Sequence, residues 1–270
     1  MMFSLELLKR PKPFEEGKLT LWSDDYIADN VLRRHLDGNV DSGSRKRNTI
    51  IEAAKWITSK CIEKSCILDI GCGPGLYADL LCEGGFTYHG IDASKYQIKY
   101  AIENCSSENV TFEIVDFRKY QPSEEYCAVL LLYGIYSLYD YNDRIELLNK
   151  IKKCLKTKGK IFIEVFTKQH YANRKETRDW EYVIKDGFWS KNSYLELNAF
   201  YRYDNLDLYL VQAAKVQDDI YVWNAWTQTF SPESLIEELK VAGFKKFDVY
   251  GSCTGEPYNE DCEVICICAE

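Results

Sequence analysis

The sequence predicts an α/β fold: a mostly parallel β-sheet with helices on both faces, interrupted by an antiparallel β-meander. Three observations carry this. Short apolar runs alternate with helical patterns from Cys66 to Phe166, as in strand–helix–strand crossovers. One of these runs, Cys127 to Tyr133, has no polar alternation, as expected of a strand covered on both faces. Between 167 and 230 the period drops to two and tight polar turns appear.

Each element follows in chain order. Residues 1–48 are irregular apart from a short helix over Asp24–Leu36, and read as an N-terminal lid segment. Thr49 to Glu52 has the spacing of a capping box and opens a helix to about Lys60. Strands are expected at Cys66–Ile70, Tyr88–Asp92, Val110–Asp116, Cys127–Tyr133 and Lys160–Phe166. Helices over Gly75–Glu83, Lys95–Asn104 and Asn142–Lys156 separate them. The last carries Ile145, Leu148, Ile151 and Leu155 at helical spacing. The insert, 167–230, reads as three strands beginning at Leu195, Leu208 and Ile220, with Asp204-Asn205 and Gln217-Asp218-Asp219 as turns. Ser231 then caps a helix with Pro232 at its first position, ending at Gly243. Lys245–Ser252 and Glu263–Ala269 form a closing antiparallel pair. The core is therefore 49–166 together with 231–270.

Composition bounds the function. The 270 residues are 46% hydrophobic and 28% charged, the balance of a globular protein rather than a disordered one. No apolar run reaches the ~20 residues needed to cross a bilayer, and no secretory pattern opens the chain, so a cytoplasmic protein without a membrane segment is expected. A net charge of −8 argues against a nucleic-acid partner, whose phosphates call for a basic surface. The eleven cysteines are odd in number and include no C-x-x-C pair. They are expected to be reduced thiols acting as small hydrophobes, with no metal site.

The chemistry is concentrated in Leu68-Asp69-Ile70-Gly71-Cys72-Gly73-Pro74-Gly75. Glycines after a buried strand permit a tight turn and let a ligand approach the backbone, while a following helix offers free amides to an anionic group. That much does not say which cofactor binds. The dinucleotide fingerprint needs G-x-G-x-x-G, whereas Leu76 stands where its third glycine would fall. Asp69, at the strand end, suits a cationic amine that a dinucleotide lacks.

At this motif the chain resembles the class I S-adenosylmethionine (SAM)-dependent methyltransferases, and among them bacterial small-molecule enzymes. The resemblance implies a Rossmann-like seven-stranded sheet, order 3-2-1-4-5-7-6, with only the last-inserted strand antiparallel. It also implies cofactor contacts from Asp69, Gly71, Cys72, Gly73 and Gly75. Asp92 and Ala93 fall where the family holds the ribose hydroxyls. Asp116 and Phe117 fall at the adenine pair, and Leu132 and Tyr133 at the end of the fourth strand. The activity implied is methyl transfer from SAM to a small-molecule nucleophile, releasing S-adenosylhomocysteine (SAH).

The acceptor side is drawn from the aromatic residues around the insert and from the N-terminal segment: Trp22, Arg45, Tyr136, Phe166 and Trp226. No general base stands out among His35, His89 and His170, and no catalytic residue is assigned. Transfer to an amine needs only a neutral, aligned, desolvated nucleophile. The rival reading is a non-catalytic SAM-binding regulatory protein that uses the insert to form a homodimer. An NAD(P) dehydrogenase is disfavoured by the glycine spacing.

Overall fold

The computed structural model describes residues 5–19, 21, 24–122 and 125–270. Its strands, in chain order, are β1 Cys66–Ile70, β2 Thr87–Asp92, β3 Val110–Ile114, β4 Tyr126–Leu131, β5 Leu155–Phe166, β6 Thr177–Val183, β7 Tyr194–Tyr203, β8 Leu208–Val216, β9 Ile220–Gln228, β10 Phe247–Tyr250 and β11 Val264–Ala269. The helices are α1 Asp25–Leu36, α2 Arg47–Lys60, α3 Ala78–Glu83, α4 Lys95–Asn104, α5 Tyr141–Cys154 and α6 Pro232–Val241.

Seven strands pair in the order β10-β11-β5-β4-β1-β2-β3, with β11 antiparallel to both neighbours. This is the expected Rossmann-like order. The apolar runs fit it: β4, in the middle of the sheet, is buried at all six positions and needs cover on both faces. Leu147, Leu148 and Ile151 of α5 with Leu235 and Leu239 of α6 cover one face. Ala54 and Ile57 of α2, Leu81 of α3 and Ile98 of α4 cover the other. Among the described residues no helix is long and apolar enough to cross a membrane.

Local differences from the sequence expectations have physical causes. Helix α2 begins at Arg47, its N-cap is Lys46, and no side chain caps it. Glu52 binds Lys55 Nζ at 2.9 Å instead of closing a box with Thr49. The buried stripe of Ile50, Ala53, Ala54 and Ile57 anchors the helix without a cap. Helix α3 starts only at Ala78, because Gly73 and Gly75 have φ of +54° and +74°, outside the right-handed helical region.

The insert has four strands, not three, in the order β6-β7-β8-β9. The additional strand, β6, is an edge strand exposed along almost its whole length, so burial leaves no periodic apolar signal in it. The two faces of this sheet differ. Tyr194, Ala213 and Trp223 pack with Trp189 against Ile27 and Val31 of α1. The opposite face is crossed by the N-terminal segment. Leu8 packs with Ala214 and Val222, Phe14 packs with Tyr201 and Trp226, and the Glu15 carbonyl accepts from Trp226 Nε1 at 2.9 Å.

Candidate functional site

Strand β1 runs out at Ile70 and hands the chain to a loop whose three glycines all have positive φ. The amides of Gly71 and Cys72 both donate to the Ile91 carbonyl, at 2.8 and 3.1 Å, which ties the loop to β2. Asp92, at the end of β2, completes the tie. One of its oxygens accepts from the Gly73 amide at 3.0 Å and the other from the Ser94 amide at 2.8 Å. Burial raises the Asp92 pKa, and these two amides oppose the rise.

Asp69 is buried beneath the same loop and accepts the Tyr88 hydroxyl at 2.6 Å. Burial pushes its carboxyl up to about 7; the Tyr88 hydrogen bond works against this, and Asp92 adds to it.

The facing wall comes from the segment between α1 and α2 and from the end of β5. Arg45 Nη2 donates to Glu164 Oε1 at 2.9 Å, and the Tyr133 amide donates to Glu164 Oε2 at 2.8 Å. The guanidinium lies 4.9 Å from the centre of the Tyr133 ring. Arg45 Nε is buried and has no hydrogen-bond partner among the described residues, a costly arrangement unless a ligand completes it. His35, in the last turn of α1, holds Ser44 Oγ at 2.9 Å through Nδ1. A Cβ on Gly73 would come within 3.5 Å of its ring. Burial lowers the His35 pKa to about 4, so this imidazole is neutral at ordinary pH. Between these groups is a cavity of about 50 Å³, lined by His35, Ser44, Arg45, Asp69, Gly73 and Tyr133.

The remaining sequence-predicted residues divide clearly. Gly71, Cys72 and Leu132 line the cavity too, and Gly75 packs behind it against Phe112. Ala93 is exposed beside Asp92. Asp116 lies two residues beyond β3, where Arg118 grips its carboxylate with Nε at 3.0 Å and Nη2 at 2.6 Å. Burial opposes ionisation of Asp116, but the Arg118 bonds outweigh it and hold the pKa below the usual range. Phe117 is buried, edge-on to Tyr139 at 4.4 Å. Phe166 stands near the cavity, its ring 6.0 Å from the Arg45 guanidinium and 4.4 Å from His170.

Two acceptor residues are not brought there. Tyr136 is wholly buried, and its hydroxyl donates to Glu238 of α6. Trp226 faces the N-terminal segment on the far side of the insert. Trp22 lies outside the described residues. Sequence reasoning missed His35, Ser44 and Glu164. Glu164 had a signal, a lone acid inside the apolar run of β5, since buried carboxylates are rare unless paired. The other two had none.

A glycine loop at the carboxyl end of β1, in a seven-stranded sheet with one antiparallel strand, defines a methyltransferase-type α/β architecture. Residues 44–248 match the family model described as methyltransferase domain, and the chain belongs to that family. Over 114 residues it is 32% identical to YqeM of Bacillus subtilis (strain 168), a protein provisionally named a methyltransferase. The match covers 41% of this chain and 46% of YqeM, so the chain spans about half the length of that relative.

Among solved structures, the fold is similar to a SAM-dependent methyltransferase from Clostridium acetobutylicum, with a TM-score of 0.67 over 92% of this chain and 99% of that one, at 14% identity. It is also similar to the CcbJ methyltransferase of Streptomyces caelestis (TM-score 0.65, 14% identity, 82% and 88% covered). A third is CalS10, an amino pentose methyltransferase of Micromonospora echinaspora solved with SAM bound (0.59, 14%, 93% and 98%). At these identities the likeness is one of fold.

Proposed function

We propose that this chain transfers a methyl group from SAM to a small-molecule nucleophile, releasing SAH. The observation that carries the reading is the donor set around the glycine loop. The buried Asp69 and Arg45, whose Nε has no hydrogen-bond partner among the described residues, line one cavity. An ammonium and a carboxylate on one carbon, as in the amino-acid end of SAM, complement that pair. In this reading Gly73 leaves room for the cofactor, Asp92 receives the ribose hydroxyls, and Asp116 with Phe117 borders the adenine. Bound there, SAM supplies an electrophilic sulfonium methyl.

The chain's own residues would hold that end, exclude water and aim the acceptor. Tyr133 lines the cavity with the Phe166 ring 6.1 Å from its own, and the insert packs on α1, the helix that brings His35 to the cavity. No side chain is assigned as a base, in keeping with an amine acceptor that arrives neutral. The neighbours named for sugars and other small molecules support that acceptor class.

Calorimetric titration with SAM, SAH and NADH tests the cofactor. Micromolar binding of SAM and SAH without an NADH signal is expected, followed by SAH release in an acceptor screen. Tight NADH binding with no SAM signal would overturn the reading.

A further inference from the structure

All eleven cysteines are free thiols, and most behave as small hydrophobes. Cys253 and Cys266 do not fit that description. Cys253 Sγ lies 2.9 Å from Cys266 Sγ, and both side chains are buried. The separation is less than an ångström beyond the ~2.05 Å of a disulfide. Cys266 belongs to β11, where it stands directly opposite Glu164 of β5. Cys253 sits in the turn that follows β10. That turn is closed by the Gly251 amide donating to the Glu256 carbonyl at 2.8 Å, and its Gly255 packs on the Trp56 ring. The two thiols share a cluster with Ala53, Trp56, Tyr77 and Leu132, and the last two line the cavity on their other side.

We propose that Cys253 and Cys266 are a reversible dithiol–disulfide site, oxidised by peroxide, behind the wall of the cavity. The two thiols give up two electrons and two protons to hydrogen peroxide. One S–S bond forms, the O–O bond breaks, and two waters leave. Local opening of this half-buried turn admits the oxidant to Cys253, since turns open at lower cost than core strands. Once one sulfur is oxidised, the other is already within reach, and the second step is intramolecular. A low-molecular-weight dithiol reverses the bond by thiol–disulfide exchange, returning two thiols and its own disulfide. The bond ties the turn to β11, a buried strand of the main sheet, so the oxidised protein is the stiffer form. None of this depends on which cofactor the cavity takes.

Cys61 and Cys127 are also neighbours, so the bond has to be mapped rather than counted. The full chain is treated with hydrogen peroxide, blocked with N-ethylmaleimide, digested and read by mass spectrometry. The expected product is a peptide pair joined through Cys253 and Cys266, two hydrogens lighter than the free peptides, which dithiothreitol separates. The melting midpoint of the oxidised protein should rise by about 5 °C. Cys253→Ser should lose both the cross-link and the rise. Cys266→Ser repeats the control from the strand side in case the turn variant folds poorly. Peroxide that leaves both cysteines open to maleimide, or that joins either to a different thiol, overturns the proposal.

Discussion

Gly73 and Gly75 stand two residues apart and answer to different constraints. A Cβ on Gly75 would sit 2.8 Å from Phe112 Cζ and 3.1 Å from Ala101 Cβ, inside packed structure. A Cβ on Gly73 would meet only the His35 ring, at 3.5 Å, and project into the cavity. Gly75→Ala is therefore expected to add about 1–3 kcal/mol of overpacking, read in a denaturant melt, to the positive-φ penalty that both positions share. Gly73→Ala should weaken SAM binding at least tenfold in calorimetry while losing only the ~1–2 kcal/mol of a positive-φ penalty. Equal loss of stability in both variants would remove the distinction.

Asp69 makes the binding pH-dependent. Its carboxyl is protonated below about 7 in the free protein, against 3.8 for an ordinary aspartate. Its contribution to stability is therefore fully present below 3.8 and is lost as pH rises through about 7. Binding runs the other way. An adjacent ammonium favours the ionised carboxylate, so the complex holds fewer protons than the free protein. Affinity for SAM should climb by up to about tenfold per unit as pH approaches 7 and then level off. Tyr88→Phe removes a hydrogen bond to the ionised form and should shift that break upward by about one unit. Flat affinity across pH 6 to 8 in both proteins would dissociate Asp69 from the ammonium.

At the scale of elements, α5, α6 and the turn after β4 are joined by one buried polar knot. Arg144 donates to Glu238 through Nε at 3.0 Å and Nη2 at 2.6 Å, and the Tyr136 hydroxyl donates to the same carboxylate. Glu238→Ala leaves a guanidinium buried without its partner and should cost about 3–5 kcal/mol in urea unfolding. A loss below ~1 kcal/mol would mean the knot is solvated and packing alone joins the helices.

This knot also marks where sequence legibility stops. The strands of the core were readable because burial on both faces writes an apolar run into the chain, as in β4. Tyr136 looked available to an acceptor because nothing local announces that Glu238, about a hundred residues later, claims its hydroxyl. Strand β6 was invisible for the converse reason: its side chains meet solvent, and solvent imposes no period. In the insert, Trp223 and Trp226 belong to one strand but opposite faces, and only the pairing register decides which aromatic residue meets α1.

At the scale of the molecule, the glycine loop is legible because every constraint on it is local: strand end, turn and acid lie within eight residues. The surroundings contributed by Arg45 and His35 are not, because Arg45 pairs with Glu164 and His35 adjoins Gly73 across chain separations that no spacing rule spans. Ligand pockets usually enclose about 300–1,000 Å³; the cavity here, at about 50 Å³, is far smaller. On the proposed function, the segment carrying Ser44 and Arg45 is expected to swing aside before a cofactor enters and again before its product leaves. Ligand capture then has a clock of its own. In stopped-flow mixing, the observed rate should rise with SAM concentration and flatten at the rate of that swing, rather than climb without limit. Asp41→Ala, which frees the Lys46 amide now held at 2.9 Å, should raise the plateau. Because departure uses the same door, its opening frequency is an upper bound on turnover shared by every acceptor, fast or slow.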